Sequence, residues 1–430
     1  MKKILFAATV ILLFLNIGYL LAQPATIDVK KANSYFNLFK KTALNDNGKL
    51  WGKSLFGPMM FVNPENMEMV ANSQLPDSSL KAYNGLFYGI FKERGGAANT
   101  SIKIQNENWT MCMWPLPEKT EAASEIMMHE AFHSKQKTLG FTMNNPSLAH
   151  MNTKNARILF RLEIEALHIA STNNIEALKD ALLFRYLRFK QFPDGALLEV
   201  LLETCEGIAQ YTGFKFACNT GASIEKYHSN QKARLTEIPT LARSAAYFTG
   251  PYYGQLFDIL IPDWKKRLSN KVDFLKIGME IKNINPHDLE SIDYSSIRAK
   301  YNYSEIEREE SEREVIKEGQ LAEFRRKYLG ADALTLPLEE MNINFNPSNL
   351  VPLDDKGTVY PNCKVIAVFG ELETTNGAMI SSDWKYVTVA APMEINGEKV
   401  KGDGWEIKLN ENYIVEKTKS GNYELKRNHK

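Results

Sequence analysis

Residues 129 to 133 read His-Glu-Ala-Phe-His, and this pentapeptide constrains the local fold more tightly than any other stretch of the chain. Residues four apart on an α-helix lie on one face, one turn apart. The two imidazoles therefore converge on a single point when the segment is helical. The surrounding sequence agrees. Glu118 to Thr138 has helical composition and stops before Gly140, a favoured residue just past a helix end. Ala122 and Ile126 extend the His129/His133 face, which predicts histidines that point into protein. Trp109 to Trp114 reads as a strand just before the helix, ended by Pro115 and Pro117.

The pattern matches H-E-x-x-H, in which two histidines hold zinc and the intervening Glu serves as general base. Glu130 is placed beside the metal, where it holds a zinc-bound water and takes its proton. Zinc lowers the pKa of such a water toward ~7, so a hydroxide-like nucleophile forms at neutral pH. The competing explanation is a pair of core or surface histidines on an ordinary amphipathic helix.

The chain has 430 residues with 44% hydrophobic and 24% charged side chains, enough apolar material for one large or several ordinary cores. Basic and acidic residues number 52 and 51. That balance gives no electrostatic case for nucleic acid or for an anionic membrane surface. Met1-Lys2-Lys3 followed by the apolar run Ile4 to Ala22 reads as a signal peptide cleaved after Ala22. The expected location is periplasmic or extracellular. The run is also long enough to serve as an uncleaved N-terminal anchor. Cys112, Cys205, Cys218 and Cys363 are either disulfide-bonded, in one of three full pairings, or buried thiols. None has the C-x-x-C spacing of a structural zinc site.

The expected fold class is α+β: a zincin-like domain with an N-terminal sheet and a mainly helical second half, then a β-rich module. The predicted divisions are a signal peptide (1–22), the zincin-like domain (23–334) and the C-terminal module (335–430). Residues 57–62 and 67–72 flank Asn63-Pro64-Glu65-Asn66 and predict a hairpin. Further strands are expected at Leu86 to Phe91 and Ser101 to Gln105. Helices are expected near 154–171, 175–192 and 196–211, and near 239–261 with a break at Gly250-Pro251. The charged stretch Tyr303 to Tyr328 predicts a solvated helix with i,i+4 ion pairs.

Several segments resemble the gluzincin-type zinc metallopeptidases, and more closely a group of uncharacterised secreted bacterial proteins in that clan. They are Gly57 to Val62, Trp109-Thr110-Met111, His129 to Gln136, Leu162 to Leu167, Glu206-Gly207-Ile208-Ala209-Gln210-Tyr211-Thr212-Gly213, and Gly250-Pro251-Tyr252-Tyr253-Gly254. They span about residues 50 to 265 and leave the C-terminal module outside the resemblance.

The resemblance implies a secreted zinc-dependent peptidase acting on a peptide or protein substrate, with a third zinc ligand from a Glu on a later helix. The usual place for that Glu falls on Asn152 and Thr153, which cannot serve. Glu206 is the implied ligand, since Glu-Gly-x-Ala-x-Tyr looks like the clan's third-ligand helix. Glu163 is the alternative. It lies in an apolar stripe with Ala156, Leu159, Phe160, Ala166, Leu167 and Ala170. Such a buried Glu is a ligand, an acceptor for a zinc-bound His or half of an internal salt bridge. Glu199, Glu203 and Glu206 share a predicted helix face, so a solvated acidic face also fits. Tyr252, Tyr253 and Tyr211 are the candidates for stabilising an oxyanion, with His150 and His168 as further neighbours. Two other functions fit the same motif: a non-catalytic exported binding module on a zincin fold, and a zinc hydrolase acting on a non-peptide substrate.

Overall fold

The computed structural model describes residues 26–92, 96–172, 174–345, 350–353, 355–418, 421 and 423–428. The expected signal peptide at 1–22 lies outside the described residues. Among the described residues, no helix is long and apolar enough to cross a membrane. The class is α+β, with an N-terminal sheet, a helical middle and a β-rich C-terminal region. The chain divides into two compact units: residues up to Lys49 with Ser54–Ser134, and Leu50–Lys53 with Lys135 onward.

The first unit opens with α1 (Val29–Asp46). Asp28 caps it by accepting from the backbone N–H groups of Lys30 and Lys31 at 2.9 and 3.1 Å. Six strands follow: β1 (Met59–Val62), β2 (Glu68–Ala71), β3 (Lys81–Tyr83), β4 (Leu86–Ile90), β5 (Thr100–Ile104) and β6 (Glu107–Met113). They form one sheet in the order β3-β4-β2-β1-β6-β5. β1 and β2 make the predicted hairpin, with Met60 opposite Ala71, and Asn63 shapes the turn by accepting from the N–H of Glu65 at 2.9 Å. β1 and β6 run parallel, with Phe61 opposite Cys112.

Alternation along these strands makes two apolar faces. Met60, Val62, Met69, Trp109 and Met111 pack in one cluster. On the other face Phe61 stacks against Phe36 of α1 at 4.3 Å between ring centroids. α2 (Thr120–Gln136) follows the sheet in sequence. It continues as a 3₁₀ turn that ends at Gly140, whose φ of 93° needs the freedom of glycine.

The second unit is first helical: α3 (Lys154–Thr172), α4 (Ala177–Gln191), α5 (Pro193–Leu202), α6 (Ile208–Ala217), α7 (Gly221–Glu237), α8 (Ala245–Leu260), α9 (Phe274–Lys282), α10 (Pro286–Glu290), α11 (Tyr294–Arg298) and α12 (Tyr303–Tyr328). Two of these depart from expectation. The helix expected at 196–211 starts earlier, because Pro193 occupies its first turn. It also contains a π turn, Glu203–Gly207, that joins α5 to α6. The break expected at Gly250-Pro251 does not occur, and α8 runs through both residues. The reason is packing: a Cβ on Gly250 would stand 2.0 Å from the Gly207 carbonyl oxygen, and one on Gly254 would strike the Tyr211 ring. Close contact with the π turn and α6 keeps this stretch helical despite the proline.

α12 covers the residues expected, and Arg308 pairs with Glu305 and Glu312 on its exposed side. One acid of this charged stretch is internal. Glu310 is 1% exposed and bonds Arg157 and Arg161 of α3 at 2.7 and 3.1 Å.

The C-terminal region holds β7 (Leu334–Pro337), β8 (Asn342–Phe345), β9 (Val351–Leu353), β10 (Gly357–Tyr360), β11 (Cys363–Ala367), β12 (Gly370–Thr374), β13 (Ala378–Ser381), β14 (Tyr386–Val389), β15 (Pro392–Asn396), β16 (Lys399–Gly402), β17 (Trp405–Leu409), β18 (Tyr413–Lys417) and β19 (Tyr423–Arg427). They make two sheets, β18-β19-β7-β14-β13-β10-β9 and β15-β16-β17-β12-β11-β8. One core joins the inner faces: Leu334, Leu336, Ile380, Val387 and Val389 from the first, Val365, Leu372, Val400 and Ile407 from the second. The region is thus a β-sandwich. Val359 and Met379 pack with Leu321 and Tyr328, covering the first sheet's other face with α12.

Candidate metal centre

α2 is buried over most of its circumference: Ala123, Met127, Met128, Ala131 and Phe132 have no exposure. Its end is tied to β6, where the Asn108 side-chain amide donates to the Ser134 carbonyl at 3.1 Å. On this fixed helix His129 and Glu130 are buried, 5% and 7% exposed, and His133 is half-buried. The Nε2 atoms of His129 and His133 stand 3.1 Å apart, with ring centroids 4.8 Å apart and planes at 68°. A ligand atom from each of His129, Glu130 and His133 lies within 4.8 Å of the other two.

That spacing fits zinc. Two nitrogens bound at about 2.05 Å in a tetrahedral shell lie about 3.3 Å apart, close to the separation observed. Glu130 lies near enough to Cys112 of β6 to add to the effect of burial on that thiol, whose pKa is pushed well up. Cys112 is therefore a neutral thiol beside the motif, unsuited to nucleophilic chemistry. Cys112, Cys205 and Cys363 are buried, and Cys218 is half-buried.

In the second unit, the three acids expected on one face have different surroundings. Glu199 and Glu203 join Glu163 in an internal network around two fully buried arginines. Arg185 donates to Glu163 at 2.7 Å and to both oxygens of Glu203 at 2.8 and 2.6 Å. Arg188 pairs with Glu163 at 2.7 Å and with Glu199 at 2.8 Å. Glu163 also accepts from the Tyr253 hydroxyl at 2.8 Å. It is thus the internal salt-bridge acid, with no exposed surface. Burial works against the Glu199 carboxylate, but Arg188 and His150 outweigh it and hold the pKa down at about 2. His150 Nε2 lies 2.8 Å from Glu199.

Glu206 is outside this network. It is 6% exposed and sits on the π turn. Its Oε1 accepts from the Asn145 amide at 2.9 Å, and its Oε2 accepts from the Tyr247 hydroxyl at 2.6 Å. The neighbouring Cys205 Sγ is 3.4 Å from Oε1. π turns inside α-helices are frequent at functional sites.

The tyrosines expected to stabilise an oxyanion are interior groups. Tyr252 has no exposure, donates to the His228 carbonyl at 3.1 Å and stacks on the His228 ring at 4.0 Å. His168 Nδ1 is 3.2 Å from the same hydroxyl. Tyr253 is occupied by Glu163. Tyr211 donates to Asp258 at 2.7 Å. The half-buried Tyr247, which was not among the expected candidates, is the tyrosine that meets a proposed ligand. A signal for it existed: Gly250 and Gly254, four apart, mark the face of α8 that crosses the π turn and α6. Tyr247 lies three residues before Gly250 on that face. No protein-family model matches the chain, and neither curated proteins nor solved structures give a match.

Proposed function

We propose that the chain is an exported zinc-dependent hydrolase of peptide bonds, with the chemistry of the gluzincins it resembles. One observation carries the reading: His129 Nε2 and His133 Nε2 are 3.1 Å apart on a buried helix, with the Glu130 carboxylate beside them. Two imidazoles facing each other this closely, one buried and one half-buried, suit a shared cation, and a set of three His/Glu ligands suits a catalytic rather than a closed structural site.

In this proposal His129, His133 and Glu206 hold zinc. The choice of Glu206 over Glu163 rests on the Glu-Gly-x-Ala-x-Tyr resemblance and on the arginines that occupy Glu163. Zinc at such a site supplies Lewis acidity, lowering the pKa of a water toward ~7 and polarising the scissile carbonyl. Glu130 accepts the proton of the attacking water and delivers it to the departing amine nitrogen. The buried position of Glu130 keeps bulk water from competing for that proton.

The test is metal analysis of the purified protein. We expect about one zinc per chain, lost in His129→Ala and in His133→Ala. Absence of zinc from the native protein, even after incubation with the ion, overturns the reading.

A further inference from the structure

The π turn Glu203–Gly207 carries two buried acids with separate sets of partners. Glu203 is held by Arg185 through both oxygens and by the Thr249 hydroxyl at 2.6 Å. Glu206, three residues on, is held by Asn145 and Tyr247. In a regular α-helix, at about 100° per residue, positions three apart lie only about 60° apart around the axis. A π turn closes its hydrogen bond one residue later, so each residue rotates less. Positions three apart then splay further round the axis. The extra residue lets one acid enter the arginine network while the other stays clear of it.

Both oxygens of Glu206 are oriented from outside the turn. Tyr247 comes from α8, and the crossing of α8 is set by Gly250, which fits directly against the Gly207 carbonyl. Asn145 comes from the segment between Gly140 and α3. That segment is itself fixed, since the Leu148 N–H donates to the Ala242 carbonyl at 2.7 Å. A carboxylate held this way loses little rotamer freedom on meeting a cation, and its orientation is set beforehand.

We infer that Tyr247 and Asn145 are positioning residues that orient the Glu206 carboxylate for metal binding, on the π turn anchored by Glu203. The inference rests on the zinc reading above, with Glu206 as the third ligand. Loss of an outer partner of a metal ligand typically weakens metal affinity 10–100-fold.

The experiment measures zinc dissociation constants by chelator competition for the full chain and for Tyr247→Phe, Asn145→Ala and Tyr301→Phe, each checked for a native far-UV spectrum. Tyr301→Phe is the control, because it removes a similar phenol–carboxylate bond, to Asp180 at 2.7 Å, away from Glu206. We expect affinity to fall about 10–100-fold in Tyr247→Phe and in Asn145→Ala, with Tyr301→Phe unchanged. Native zinc affinity in both Glu206-side variants overturns the positioning role and leaves the zinc reading standing. An equal fall in Tyr301→Phe also overturns it, since the effect would be general loosening. A full chain that binds no zinc overturns both, and the unsubstituted protein alone reveals that outcome.

Discussion

Arg185 grips Glu203 through two guanidinium nitrogens, at 2.8 and 2.6 Å, while its Nε donates to Glu163 at 2.7 Å. Its side chain is fully buried, and Tyr253 lies beneath the guanidinium at 4.8 Å. Arginine suits this place because its planar fork serves two carboxylates at once and stays charged. This junction ties α3, α4 and the π turn together.

Removing Arg185 leaves two interior carboxylates without their shared cation. Arg185→Met is therefore expected to destabilise the protein by about 3–5 kcal/mol, the range for breaking a buried pair on one side. Urea unfolding followed by circular dichroism measures it. A loss below about 1 kcal/mol would show that Glu163 and Glu203 find other partners or take up protons.

His228 makes stability depend on pH. Burial is the main cause of its lowered pKa, about 4, and the nearby His168 adds to it, against the opposing bond from Nε2 to the Gln255 side chain. Its Nδ1 is buried without a hydrogen-bond partner, so protonation would leave a bare N–H in the interior. The unfolded chain, with an ordinary histidine pKa near 6.5, binds this proton first. Stability from His228 is therefore complete above about pH 6.5 and is lost as pH falls toward 4, by about 3 kcal/mol at most. Unfolding free energies measured across that range should show this limb, and His228→Gln should flatten it. An unchanged limb in the variant would assign the effect to other groups.

The features legible in the sequence were those set locally. The Asn63–Asn66 turn between two apolar runs gave β1 and β2, and the Glu/Arg/Lys pattern at 303–328 gave α12 with its bounds. The histidine pair was legible because helical spacing alone brings its nitrogens together. What escaped depended on distant partners. Proline argued for a break at Gly250-Pro251, and the approach of α8 to Gly207 overrode it. That false break also separated Tyr247 from the Tyr252 and Tyr253 segment and hid its relation to Glu206. The π turn left no composition signature, so Glu199, Glu203 and Glu206 read as one acidic face. Their separation follows from where Arg185, Arg188, Asn145 and Tyr247 stand. In the sandwich, short strands such as β9 and β13 take their place from cross-strand pairing, which no single segment encodes.

In the proposed mechanism Glu130 moves the proton at a zinc site built on His129 and His133. The most direct measurement is hydrolysis of a peptide library by the full chain and by Glu130→Gln, with zinc content determined on the same samples. About one zinc per chain is expected in both proteins, with cleavage by the first and a loss of at least about 100-fold in the second. Undiminished cleavage by Glu130→Gln at full zinc occupancy would contradict that mechanism.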